Sequence, residues 1–226
     1  MQYEIIRSRR KTADIIINRD GNVIVRVPEG TGDDKVSKIV RSKNVWIQKQ
    51  LADWKEKNSA RMIREYKNGE SFYYLGRNYR LKLHEKQNPP LRIVGECFYL
   101  NSEILKNGGI EAAKSAFRHF YILKGREIIP ERVEYFSPKV GVHSKSVEVR
   151  DLGYRWGWCS PKGKINFHWK VIMAPKTIID YIVVHELCHI HYLNHKDVFW
   201  EEMSQIIPDY REKKEWLRVN GVSFDL

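Results

Sequence analysis

The chain has 226 residues, of which 42% are hydrophobic and 30% charged, with 40 Lys+Arg against 28 Asp+Glu and a net charge of +12. That length fits one large domain or two small ones, and the balance describes a soluble globular protein rather than a fibrous or disordered chain. No run approaches the ~20 apolar residues of a membrane-spanning helix, so no membrane partner is expected. The first residues hold no long apolar stretch, so no signal peptide is expected either. Cys97, Cys159 and Cys188 are odd in number and widely spaced, which predicts a reducing, cytoplasmic setting without a disulfide framework.

In chain order, residues 12–18 and 21–27 are rich in Ile and Val and flank Asp20-Gly21, a hairpin signal. Residues 33–58 turn helical, with Val36, Ile39, Val40, Val45, Trp46, Leu51 and Trp54 as the apolar stripe and Asp33 or Asp34 near the amino end. Residues 72–75, 79–84 and 91–100 read as short strands, separated by Gly76-Arg77-Asn78 and by a loop holding Pro89-Pro90. Gly108-Gly109 opens a long helix over 110–133, which Pro130 is expected to kink or divide. Residues 146–152 and 164–172 read as strands around the loop 156–163. Pro175 then starts a helix, a favoured first-turn position. Helices over 196–207 and 209–219 follow. The expectation is an α+β fold with two parts, a β-rich region with a long helix over 1–105 and a catalytic half over 106–226.

The chemistry concentrates in His185-Glu186-Leu187-Cys188-His189. Residues four apart share a helix face, so His185 and His189 can aim two imidazoles at one metal ion. Glu186 stands where a carboxylate reaches a water activated by that metal. Residues 178–184 are apolar enough to bury the helix. His195 follows six residues after His189, the spacing of the metzincin pattern, although Tyr192 stands where that pattern has glycine, so no break is expected there. Asn194 is expected as a left-handed cap that turns the chain back. If His195 is not the third ligand, Glu201 or Glu202 is the alternative. His191 points off this face and reads as a non-ligand. Three protein ligands and an open position describe a catalytic zinc site.

Further segments carry a resemblance: Trp156-Gly157 with Cys159-Ser160, Lys162-Gly163-Lys164-Ile165-Asn166, Ala174-Pro175, residues 179–189, Asn194-His195 with Phe199-Trp200, Pro208-Asp209-Tyr210 and Trp216-Leu217. Upstream stand Ile6-Arg7, Arg10-Lys11, Val27-Pro28, Trp46-Ile47 and Tyr74-Leu75-Gly76 with Tyr79-Arg80. Together they resemble the YgjP-like metallopeptidases, which are related to the SprT-like zincins, over nearly the whole chain. The resemblance implies a zincin-like catalytic half, zinc ligands His185, His189 and His195, and Glu186 as general base. Trp158 replaces the serine usual in that family and His168 an asparagine, changes expected to bear on substrate choice.

The leading expectation is therefore zinc-dependent hydrolysis of peptide bonds in a protein or peptide substrate. Tyr210, Tyr192, Tyr154 and Arg155 are candidates for stabilising the oxyanion. Two alternatives stand beside it. One is hydrolysis of a nucleotide phosphoanhydride at the same metal. The other is a nucleic-acid-associated protease or binding module, because residues 1–175 hold 34 Lys+Arg against 19 Asp+Glu while residues 176–226 hold 6 against 9.

Overall fold

Strand β3 (Val23–Pro28) alternates buried and half-buried side chains, placing Val23, Val25 and Val27 in a small core. The computed structural model in which it is seen describes residues 2–17, 21–59, 64–153 and 155–226. β3 is the middle of a three-stranded sheet. It pairs in parallel with β1 (Glu4–Ser8) and antiparallel with β2 (Asp14–Ile17), Ile15 facing Val25. The β2–β3 pairing is that of the expected hairpin, whose turn at residues 18–20 lies outside the described residues. Arg26 forks onto Asp14, Nε to Oδ1 at 2.9 Å and Nη2 to Oδ2 at 2.5 Å, and Arg10 adds a bond of 2.9 Å. Burial opposes ionisation of Asp14, but the two guanidiniums outweigh it and hold the carboxyl at about 2.

The expected helix over 33–58 is two helices. α1 (Asp33–Ser42) buries Val36 and Val40 and ends at Lys43, whose φ of −107° and ψ of 6° interrupt the helical path. α2 (Asn44–Ser59) buries Ile47 and leaves Val45 and Trp46 exposed. The break resets the helical phase, so the single stripe expected across both segments does not exist. These elements form one compact unit, Met1–Met62.

The second unit, Ile63–Leu226, contains all the catalytic candidates. Its first sheet holds β4 (Ser71–Tyr74), β5 (Arg77–His84), β6 (Leu91–Val94) and β7 (Cys97–Asn101) in the order β4-β5-β7-β6, with β5 and β7 parallel. α3 (Ser102–Val140) packs across it. Phe117 stacks on Phe72 at 4.3 Å between ring centroids and lies 5.1 Å from Phe98. This aromatic seam ties the sheet to the same core as residues 178–188, so the division falls between residues 62 and 63 rather than near 105. α3 is interrupted at Gly109, at φ 61° and ψ −157°, and runs through Pro130 with helical dihedrals. Burial along its length, from Ala113 to Val140, outweighs the hydrogen bond that proline removes.

A second sheet of this unit has β8 (Ser146–Arg150), β9 (Gly157–Cys159) and β10 (Lys164–His168) in the order β8-β10-β9. β9 falls in the segment expected to be a loop, and it is an edge strand, antiparallel to β10. β10 ends at His168, earlier than expected, because the His168 Nδ1 accepts from Lys170 N at 3.0 Å and caps a 3-10 turn over Trp169–Met173.

That turn delivers the chain to α4 (Lys176–His191). Leu75 N donates to Ile172 O at 2.9 Å and Gly76 N to Met173 O at 3.0 Å, so the β4–β5 turn grips the approach to α4. A Cβ on Gly76, whose φ is +79°, would stand 2.8 Å from the Cα of Pro175. Arg132 on α3 holds Asp180 on α4 with Nε–Oδ1 2.6 Å and Nη2–Oδ2 3.0 Å. α5 (Asp197–Ile206) and α6 (Tyr210–Asn220) close the unit as an α+β fold. No helix among the described residues is long and apolar enough to cross a membrane.

Candidate active site

α4 is buried along most of its length because residues 178, 179 and 181–184 are apolar, while Asp180 turns to Arg132, which together fix its rotation and the directions of His185 and His189. Their rings lie 4.8 Å apart. The helix ends at His191, and Tyr192 is extended at φ −127° and ψ 109°. The break therefore does occur where the metzincin pattern places its glycine, through an extended residue instead of a left-handed one. Asn194 is not among the residues with positive φ, so the expected left-handed cap is absent. The chain still returns, and the His195 ring sits 4.9 Å from that of His185 and 4.7 Å from that of His189.

The ligand atoms of these three histidines all lie within 4.8 Å of one another, and Nε2 of His185 is 3.0 Å from Nε2 of His195. Phe199 forms the floor, its ring 5.0, 4.8 and 4.8 Å from those of His185, His189 and His195. Trp200 Nε1 donates to His195 O at 3.2 Å and holds the returning chain. His189 Nδ1 lies 2.8 Å from Tyr192 O, a bond in which the ring donates and leaves its other nitrogen bare. Burial lowers the proton affinity of all three rings, and the charge of Lys214 adds to this at His185 and His195. Three neutral imidazoles with convergent nitrogens form a donor set that fits a divalent transition-metal ion. Glu202 is turned away to His191, Oε1 to Nδ1 at 2.8 Å, and neither it nor Glu201 belongs to the cluster.

Glu186 is only 5% exposed. Burial pushes its carboxyl up to about 8, opposed by the charge of Arg155. Its Oε2 finds no partner among the described residues. The carboxylate lies against Gly157 of the edge strand, where a Cβ would come within 2.6 Å of its Cγ and Cδ. A cleft of about 620 Å³ opens over Glu186, His185 and His195, lined also by Trp156, Tyr181, Trp200, Leu217 and three cations, Arg155, Lys214 and Arg218.

Of the expected oxyanion partners, Arg155 lines this cleft. Tyr210 stacks against Trp200 at 5.1 Å, and the Tyr192 ring packs beside His191. Tyr154 lies outside the described residues. Neither Trp158 nor His168 is among the residues lining the cleft. Trp158 alternates with Gly157 along β9 and so faces the other way. His168 is buried against Asp151, Nε2 to Oδ1 at 3.4 Å.

Sequence reasoning missed Tyr181, Lys214 and Arg218. Tyr181 precedes His185 by four residues on a helix, which is a legible signal, and burial pushes its hydroxyl up to about 12. Lys214 and Arg218 carry no such signal, because only the packing of α6 brings them to the cleft.

The family described as YgjP-like, metallopeptidase domain, matches residues 11–220. Among solved structures, the metallopeptidase zymogen of Pyrococcus abyssi abylysin aligns at 23% identity with a TM-score of 0.38, over 42% of this chain and 93% of that one. No curated protein matched the chain. The match over residues 11–220 places this protein in the YgjP-like metallopeptidase family.

Proposed function

We propose that the protein is a zinc-dependent peptidase in which His185, His189 and His195 hold the metal and Glu186 is the general base. The observation that carries this reading is the convergence of three neutral imidazoles beside a buried glutamate at the mouth of a cleft. A donor set of three nitrogens without a carboxylate favours zinc over magnesium or calcium and counts against phosphoanhydride chemistry. Bound there, zinc supplies Lewis acidity that brings the pKa of water toward ~7 and a positive charge that favours the ionised form of Glu186.

The protein's own groups supply the rest. Glu186 takes the proton of the attacking water and delivers it to the leaving amine. Gly157 leaves room for the carboxylate, and Arg155 favours its charged state. Arg155 and Tyr181 line the cleft as donors for the developing oxyanion. The free edge of β9 offers backbone groups to an extended peptide, which supports a peptide substrate.

Elemental analysis of the purified protein tests the reading, beside cleavage of a mixed peptide library. About one zinc per chain in wild type, little in His189→Ala, and retained zinc without turnover in Glu186→Gln are expected. A fully active Glu186→Gln would remove Glu186 as the base.

A second reading concerns the Met1–Met62 unit. Lys38, Arg41, Lys43 and Lys49 carry no ion pair among the described residues, and Trp46 beside them is 45% exposed. This supports docking of nucleic acid. A steep loss of DNA affinity between low and moderate salt is expected. Affinity indifferent to salt would remove the reading.

A further inference from the structure

We infer that the cleft selects peptides bearing a carboxylate close to the scissile bond, and that Lys214 is the residue that reads it. This inference rests on the peptidase reading of the same site.

Cations dominate the cleft. Arg155, Lys214 and Arg218 line it, and the single acid in its lining is Glu186, which the chemistry occupies. Arg218 is paired with Glu215, at 2.7 Å from Nε and 2.5 Å from Nη2. Lys214 has no carboxylate partner among the described residues, although its neighbour Lys213 is paired with Asp209. Lys214, Leu217 and Arg218 are spaced i, i+3 and i+4 on α6, so they share the face that meets the cleft.

The position of Lys214 is defined by aromatic contacts. Its Nζ sits 4.5 Å from the centroid of a Trp200 ring, and Trp200 stacks on His195 at 5.5 Å. Trp200 therefore touches both the ammonium and a proposed ligand of the metal. An extended peptide advances roughly 3.4 Å per residue. An acidic side chain one or two residues from the bond being cut thus reaches Lys214, and so does a free terminal carboxylate. Trp156, Trp200 and Leu217 give the same cleft apolar walls, suited to an aromatic or aliphatic neighbour of the acid.

The test uses zinc-loaded protein and acetylated, amidated octapeptides with a central Phe. A single Glu or its isostere Gln is walked through the positions on either side. A third series carries Gln and a free C-terminus. Cleavage is followed with wild type, and binding by calorimetry with Glu186→Gln.

At one or two positions Glu is expected to exceed Gln about tenfold in kcat/KM and in affinity. Lys214→Met should reduce the ratio below twofold, Lys214→Arg should keep it, and Lys214→Glu should invert it. Lys214 is exposed, so these substitutions leave the core intact, and zinc content and melting temperature serve as controls. A preference confined to the free C-terminus supports the inference and assigns the carboxylate to the chain end. Ratios within twofold in wild type, a ratio that survives Lys214→Met, or no binding of any peptide would overturn it. Selective binding without cleavage would leave Lys214 as the reader of a carboxylate in the cleft and sink the peptidase reading.

Discussion

Gly157 and Glu186 occupy adjoining space so closely that a methyl group on the first would overlap the carboxylate of the second. A Cβ at Gly157 would lie 2.6 Å from both Cγ and Cδ of Glu186, well inside van der Waals contact. The glutamate is 5% exposed and anchored on a rigid helix, so it cannot retreat without moving α4 or changing rotamer. The glycine thus makes room for Glu186 through the side chain it lacks.

Gly157→Ala should therefore lower turnover of a peptide substrate by about a hundredfold or more, the scale of a displacement near 1 Å in a catalytic group. Zinc content should stay near wild type, because the three heavy atoms nearest the new methyl all belong to Glu186. Steady-state kinetics with elemental analysis checks this, and a fully active alanine variant would show that Glu186 has room to move.

Gly76 meets the start of the catalytic helix in the same manner. Its φ of +79° and the 2.8 Å approach to Pro175 Cα combine a left-handed conformation with a backbone contact. Gly76→Ala is expected to cost about 2 kcal/mol or more. In a unit of this size that lowers the melting temperature by roughly 4–8 °C. Thermal unfolding followed by circular dichroism gives the value.

The Arg132–Asp180 pair joins α3 to α4 with a two-bond fork, and both side chains are partly buried. Its geometry is better than that of a surface pair, and its remaining exposure screens it. A double-mutant cycle with Arg132→Met and Asp180→Asn should return a coupling of about 1 kcal/mol. A coupling near zero would mean that packing alone sets the angle of the two helices.

Metal should stabilise the fold as well as serve the reaction. At a free zinc concentration one hundred times its Kd, mass action adds about 2.7 kcal/mol. A chelator should lower the melting temperature of the wild type by roughly 5–10 °C. The same chelator should leave His189→Ala unchanged. Differential scanning calorimetry of both proteins decides this without any substrate.

Asp14 sets an acid limit on the amino-terminal unit. Its carboxyl is held at about 2 by Arg26 and Arg10 against the cost of burial, below the 3.8 of an unperturbed aspartate. The folded value is the depressed one. The contribution is complete above pH ~4 and is lost as pH falls through ~2. Amide exchange in β2 and β3 should accelerate across that window in wild type and show a flatter pH dependence in Asp14→Asn.

His185, Glu186 and His189 were legible in the sequence because helical periodicity alone puts the two imidazoles on one face, and residues 178–184 announced a buried helix. The strands over 71–74 and 77–84 and the long helix after Gly109 were legible for the same local reason, whereas the single strand expected over 91–100 is the antiparallel pair β6 and β7, which turns between Val94 and Cys97. The amino-terminal helix was misread as continuous because its break at Lys43 carries neither glycine nor proline. Pro130 was misread the other way, since tertiary burial overrode a local breaker.

By itself the sequence determined what depends on neighbours a few residues apart: the α+β class, the imidazole pair, the adjacent glutamate and the candidacy of His195. The tertiary structure decided what depends on chain segments far apart. It seated His195, and not Glu201 or Glu202, on Phe199 beside the pair. It turned residues 157–159 into an edge strand against Glu186, placed the boundary between the units at 62/63, and brought Lys214 of α6 beside Trp200. Periodicity encodes the face of one helix, but which faces meet is settled by the packing of the whole core.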